Sequence, residues 1–383
     1  MSILNVQDLI LSKYEEPRFY VNFNTVLRPT VAVRNEFEHK INKTNHVLCW
    51  RIQENTLEKI DKKNVGFLFD SEAYIVHWLF DLKIDQSITE EMLVYYWRGQ
   101  HAVKGYSPLP SDIEEQYPVE RLFQWSEPAL FFHGFEKLIV FNGKETDFDL
   151  NIPHLFLLRG EVTKETHLFE VPCIKASLRS RGTFLLVIPQ EKIFFYWHGA
   201  KTLNDYKTNI KIHKPHVHLQ LWQPQWEFFS IHEIEENNEP DIFLETVKGN
   251  YQDFYHIKTN TDFSPKLFYL NTITGSFLAT EVEYPLRKIG GLAPFPFLQN
   301  HLYSASEPAL FLLDNNTEIW IWEGKTGSNS DNTFKDQLKL AKDLQLKYCE
   351  EKRKITNENI KIFYTKAGQE TLEFRNIFPV WEK

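Results

Sequence analysis

The residue types best able to do chemistry in this chain are scattered rather than convergent. Five histidines stand out: His77, His198, His213, His216 and His218. A zinc hydrolase would place two of them on one helix face around a glutamate, as His-Glu-x-x-His, and a structural zinc site would add paired cysteines. Neither pattern is present, and no Gly-x-Ser-x-Gly turn offers a strained nucleophile. No catalytic residue, metal ligand or cofactor-binding residue is assigned, and the chain is read as a non-enzyme. His77 lies in an apolar run between Val76 and Trp78 and reads as a structural strand residue. The other four read as parts of solvated loops or of a weakly basic surface.

Lys201, Lys207, Lys211 and Lys214, with His213, His216 and His218, make a local basic stretch. Such a stretch suits an acidic protein surface or a peripheral contact with anionic membrane. The plainer reading is a solvated, lysine-rich loop. The whole chain is acidic, with 43 basic against 52 acidic side chains for a net charge of −9, which argues against a phosphate-tracking surface and hence against nucleic acid as partner. Cys49, Cys173 and Cys349 are far apart and odd in number, which fits a reducing, cytoplasmic setting. Cys349 falls in a helical pattern and reads as a small core residue. The first residues lack the basic, apolar and small-residue succession of a signal peptide. No apolar run approaches the roughly 20 residues that cross a bilayer.

A chain of 383 residues, 42% of them apolar, exceeds what one core normally organises. The aromatic fraction of 15% favours sheets. Internal repetition supplies the organisation. Three strand-like runs end in Trp-x-Gly, at Leu93–Gly99, Ile193–Gly199 and Glu318–Gly324. Each follows another β-rich run, at Ala73–Leu79, Thr183–Ile188 and Ala309–Asp314, so each pair reads as adjacent strands. The residues Asp314–Glu318 supply a hairpin turn for the last pair. A second mark recurs downstream: Glu127, Glu239 and Glu370 each stand four residues before a phenylalanine, at Phe131, Phe243 and Phe374.

The intervals from Trp to Glu are 30, 42 and 48 residues, so the repeats differ in what lies between the marks. The third holds a helix expected over Asn332–Glu351, with Phe334, Leu338, Ala341, Leu344 and Tyr348 on one face and Asp331 as cap. Pro215 interrupts the second. Pro108, Pro110 and Pro118 exclude a long regular helix from the first. The expected units are repeats at 45–147, 154–250 and 263–382. Linkers fall near Asp147–Pro153 and Gly249–Asp262. Residues 1–44 form an N-terminal extension or the remnant of an upstream repeat, with a short strand at Phe19–Phe23.

Val47–Ile52 resembles the opening strand of a gelsolin-type domain, and Phe67–Trp78 its central strand, followed by the Trp-x-Gly ending. More closely, Leu158–Val162, Ser177–Arg181, Phe263–Phe268, Ala279–Arg287, Pro296–Gln299, Leu302–Ala305, Pro308–Asp314 and Asn376–Glu382 resemble the C-terminal region of the supervillin-like branch of the villin and gelsolin superfamily. The resemblance implies an α/β (α+β) fold of tandem repeats, each a central mixed sheet flanked by helices, with shortened helices in the first two. It also implies a scaffold that links actin or actin-associated proteins to the membrane cortex, in the cytoplasm and cytoskeleton. The alternative is calcium-regulated capping or severing of actin filaments.

The family's calcium carboxylate comes from a Gly-Asp pair leading into the central strand, and the resemblance places Ser71-Glu72, Arg181-Gly182 and Pro308-Ala309 there. Glu72 and Asp314, with Glu307 near the third pair, are the acids closest to a calcium role. The altered pairs lead to the expectation of no tightly bound calcium. Lys335, Lys339, Lys342 and Lys347 lie beside the apolar stripe of the third-repeat helix and are the candidate actin-facing or partner-facing residues.

Overall fold

The structure is a computed structural model. It describes residues 4–5, 20–21, 41–53, 56–84, 86–102, 119–125, 127–160, 163–249, 263–271, 278–282, 293–305, 309–325, 332–357 and 359–381. Pro108, Pro110, Pro118, Glu307, Pro308, Asp331, nearly all of the 249–262 linker and most of residues 1–44 lie outside these. Of the expected Phe19–Phe23 strand, Tyr20 and Val21 are described and are extended.

The strands in chain order are β1 (Leu4–Asn5), β2 (Tyr20–Val21), β3 (Ile41–Gln53), β4 (Thr56–Lys59), β5 (Phe67–Phe69), β6 (Ala73–Ile84), β7 (Ser87–Arg98), β8 (Val119–Phe123), β9 (Ile139–Phe141) and β10 (His154–Arg159). They continue with β11 (His167–Val171), β12 (Thr183–Ile188), β13 (Ile193–His198), β14 (Ser230–Glu235), β15 (Lys266–Asn271), β16 (Leu278–Glu281), β17 (Leu310–Asp314), β18 (Glu318–Glu323) and β19 (Lys361–Lys366). The α-helices are α1 (Ala129–His133), α2 (Asn204–His213), α3 (Pro215–Trp222), α4 (Asp241–Thr246), α5 (Gln299–Tyr303), α6 (Asn332–Thr356) and α7 (Leu372–Arg375).

Contacts divide the chain into two units. The unit Val33–Phe254 carries two sheets, of order β4-β3-β6-β7-β8 and β14-β13-β12-β10-β11-β9-β5. The second of these draws β5 and β9 from residues before 147. The other unit, Met1–Ala32 with Tyr255–Lys383, carries the sheet β16-β15-β17-β18-β19 and the two-stranded β1-β2 ribbon.

All three larger sheets share a central antiparallel hairpin closed on one side by a parallel strand: β6-β7 with β8, β12-β13 with β14, and β17-β18 with β19. A parallel closure requires a crossover, and this is where the intervals of unequal length belong. The Trp-x-Gly glycines end the second hairpin strand where another backbone passes close. A Cβ on Gly99 would meet the Asp70 carbonyl oxygen at 2.1 Å, and one on Gly199 would meet that of Ser180 at 2.3 Å. Gly324 is less confined, with nearest atoms at 3.1 Å.

The long helix α6 buries Phe334, Leu340, Ala341, Leu344, Tyr348 and Cys349 against Phe268, Leu312, Ile319 and Ile321 of its sheet. It runs past the expected Glu351 to Thr356, because Lys352 turns inward to a buried acid and Arg353 donates to the Ile360 carbonyl at 2.7 Å. In the second interval Lys214 adopts a left-handed φ of 44° and Pro215 starts a new helix, so α2 and α3 replace one long helix.

Candidate functional site

The two recurring sequence marks meet in space. The Trp97 indole N–H donates to Glu127 Oε1 at 2.7 Å, Trp197 to Glu239 at 2.7 Å and Trp322 to Glu370 at 2.8 Å. The phenylalanine four residues beyond each acid, Phe131, Phe243 or Phe374, is fully buried. Each repeat thus pins its returning segment to the end of its central hairpin by one indole–carboxyl bond and one aromatic anchor. The acids are held differently. Glu370 also accepts from the Tyr303 hydroxyl at 2.6 Å and the Gly368 N–H at 2.9 Å. Burial pushes the Glu127 carboxyl up to about 7, against the opposing pull of the Trp97 bond and of Arg159.

On α6, Lys335, Lys339 and Lys342 are exposed on the flank that faces β19, and the Lys342 ammonium lies 4.3 Å over the Tyr364 ring. Lys347 is half-buried and, five residues beyond Lys342, lies on the other flank. The structure therefore groups three of the four candidate lysines. It adds residues the sequence did not single out: Leu346 is 50% exposed on α6, and Ile362 and Tyr364 are each 38% exposed on β19. Their helix-facing side of the strand follows from register, since Ile362 and Tyr364 pair with Ile319 and Ile321 of the α6-covered core. The signal that could have found them is the Ile-x-Tyr alternation of Lys361–Lys366 in an edge strand.

Glu72 and Asp314 already have cations. The Arg51 guanidinium lies 3.4 Å from Glu72 and 2.5 Å from Glu145, and Glu72 also accepts from the Tyr74 hydroxyl at 2.5 Å. Burial pulls the Arg51 pKa down, but Glu58, 2.6 Å from the guanidinium, with Glu72 and Glu145 holds it above its ordinary value. Asp314 is 1% exposed, and the Lys352 ammonium lies 2.6 and 2.8 Å from its two oxygens. Its remaining bonds come from the Tyr348 hydroxyl at 2.6 Å and the Asn316 N–H at 2.9 Å. At the second pair, Arg181 is buried and Gly182 has no side chain to ligate. Calcium needs six to eight oxygens, and here side-chain cations and donors occupy the oxygens of the nearest acids. The described residues do not fit the ion. Among the described residues no group of three His, Cys, Asp or Glu side chains is arranged to hold a metal.

No protein-family model matches the chain. Curated relatives do. Bovine (Bos taurus) supervillin is 30% identical over 87% of this chain and 17% of its own length. Drosophila melanogaster gelsolin is 24% identical over 68% of this chain and 29% of its own, and Dictyostelium discoideum protovillin is 23% identical over 87% and 34%. The match to three such relatives coincides with three mixed sheets closed in the same way. The chain belongs to the villin/gelsolin superfamily. It spans only about a sixth to a third of the length of these relatives.

This superfamily member corrects the expectation for its histidines. His198 lies buried in strand β13, with Nδ1 3.2 Å from the Thr183 hydroxyl, and is not in a solvated loop. His213 ends α2, while His216 and His218 lie on α3. The Tyr196 hydroxyl accepts from the His216 backbone N–H at 3.2 Å and sits 2.9 Å from His216 Nδ1. Burial lowers the pKa of all four, that of His216 to about 4, so they add no positive charge at neutral pH. The lysines nearby are helical rather than looped: Lys207 and Lys211 lie on α2, Lys214 caps it, and Lys207 is paired to Glu235 at 2.7 Å. His77 is a strand residue, its ring 4.7 Å edge-on to Trp50, as expected.

Proposed function

We propose that this chain is a non-enzymatic, calcium-insensitive scaffold of the actin cytoskeleton. It would hold actin or actin-associated proteins beside the membrane cortex, with repeats at 45–147, 154–250 and 263–382 as its working parts. The observation that supports this reading above capping or severing is the Lys352–Asp314 pair. A lysine cannot leave its site as an ion does, so the negative charge that would recruit calcium is permanently met. Arg51 plays a looser version of the same part for Glu72, 3.4 Å away, while it also serves Glu58 and Glu145. The break at Lys214 and Pro215 in the second repeat adds to it, because restoring a continuous helix through proline costs about 3 kcal/mol. With a single long helix among the described residues, carrying Lys335, Lys339 and Lys342 as partner-facing groups, the chain would tether a filament without prising it open.

The test is single-filament microscopy with the purified chain across a calcium range, paired with affinity isolation from cell extract. Retention of actin or actin-associated proteins, equal with and without calcium, is expected. Frequent filament breaks at nanomolar protein would instead establish calcium-gated severing.

A further inference from the structure

The free edge of β19 has three properties that together specify an occupant. The first is backbone geometry. The Lys361 N–H bonds to the Thr317 carbonyl and the Ala367 N–H to that of Glu323, both at 2.8 Å, so odd-numbered residues face inward to β18. Period-two alternation then turns the N–H and C=O groups of Ile362, Tyr364 and Lys366 outward, away from the sheet. Gln345 of α6 donates to the Ile319 and Phe363 carbonyls, both at 2.8 Å, and fixes this edge to the helix.

The second property is a partly apolar floor. Ile362 and Tyr364 are exposed at the i, i+2 spacing that a neighbouring strand matches, and Leu346, one turn beyond Lys342, is exposed on the same flank of α6. The third is charge. Lys335, Lys339, Lys342 and Arg353 line the helix flank and Lys366 the strand, all exposed, in a chain whose net charge is −9; Arg353 is already bonded to the Ile360 carbonyl and Lys366 is paired to Glu323 at 3.3 Å. Among the described residues, Lys335, Lys339 and Lys342 lie within ion-pair distance of no carboxylate. Lysines at an edge commonly guard against self-pairing. Here a second copy of β19 would set like charges against each other, so the groove rejects itself and favours an acidic strand.

We propose that the β19 edge and the facing flank of α6 bind an extended acidic segment of a partner protein as a sixth strand. Its backbone pairs with Ile362, Tyr364 and Lys366. Its alternate side chains meet the apolar floor, and its carboxylates meet the ammonium groups of Lys335, Lys339 and Lys342. The proposal rests on the scaffold reading and gives the chemistry of one partner.

The experiment uses the full chain and a short fluorescein-labelled peptide of alternating Glu and Val, followed by fluorescence anisotropy. Saturable binding is expected, weakened at least about tenfold by Lys339→Glu with Lys342→Glu. Both sites are exposed, and an unchanged melting temperature would confirm that the variant is folded. The second arm uses the unaltered chain and the same peptide N-methylated at alternate residues, which keeps charge and removes strand donors; binding is expected to vanish. Equal binding of the N-methylated peptide would overturn strand addition in favour of charge alone. Displacement of the peptide by phosphatidylserine vesicles that bind more tightly would assign the groove to lipid. Absence of peptide binding while actin-associated proteins are still retained would sink this inference and leave the scaffold reading standing. The converse result would sink the scaffold reading alone.

Discussion

Replacing Glu127 by Gln isolates the first Trp–Glu contact. The Glu127 carboxyl has its folded pKa raised from 4.5 to about 7. The folded chain therefore holds this proton more tightly than the unfolded one, and stability is fully present below 4.5 and falls as pH rises towards 7. A shift of roughly 2.5 units, at about 1.4 kcal/mol each, makes the loss about 3 kcal/mol between pH 4.5 and pH 8. A glutamine keeps an oxygen to accept from Trp97 and never ionises. Its amide nitrogen faces backbone N–H groups that now serve the carboxylate, which costs about 1 kcal/mol at every pH. The offset is constant, so the informative quantity is the change with pH in the stability difference between variant and wild type. Urea denaturation of both chains at pH 4.5, 6 and 8, followed by tryptophan fluorescence, measures it. The variant should gain about 3 kcal/mol on wild type across that range. Parallel pH profiles would refute the argument that burial, rather than the indole bond, governs this acid.

Lys352→Met leaves Asp314 buried with its counter-ion removed and should cost about 3–5 kcal/mol, visible as a lowered Tm; Asp314→Asn in the same chain should recover much of it. Calcium titration by calorimetry should show no submicromolar binding, and calcium should leave Tm unchanged, because Arg51 and Lys352 already hold Glu72 and Asp314. Gly199→Ala should lower Tm clearly more than Gly324→Ala, since the new Cβ would lie 2.3 Å from a carbonyl oxygen in the first case and no closer than 3.1 Å to any atom in the second.

The repeated hairpins were legible because each carries its own local signals: alternation, a closing glycine, and in the third case turn residues between Leu313 and Ile319. The helix face of α6 was legible from the spacing of Phe334, Ala341, Leu344 and Tyr348. Its end was not, because Glu350 to Lys354 reads as a polar exit until Asp314, far earlier in the chain, is seen to call Lys352 inward. The histidines misled for the same reason. His198 and His216 look polar among lysines, and only the strand and the helix that carry them show the first buried and the second half-buried. The Trp and Glu marks were both visible, but nothing local says that residues separated by 30, 42 and 48 positions share a proton donor and acceptor. The β19 edge was hidden because exposure of Ile362 and Tyr364 depends on which strand ends the sheet.

Strands β5 and β9 lie in the chain before residue 147 yet complete the sheet built mainly by residues 154–235, with Phe67, Phe69 and Phe141 sealed into its core beside Phe156 and Trp226. The consequence concerns how this stretch can be divided, by a protease or by a molecular biologist. Cutting within 147–153 would sever the covalent link but not the sheet, and the two pieces should stay together under native conditions. Expressed separately, the earlier piece would bare three aromatic rings and the later one would lose two strands and expose β11 as a raw margin. The first two repeats are therefore heritable only as a pair: a duplication or exchange that moved one without the other would deliver a protein with an open seam.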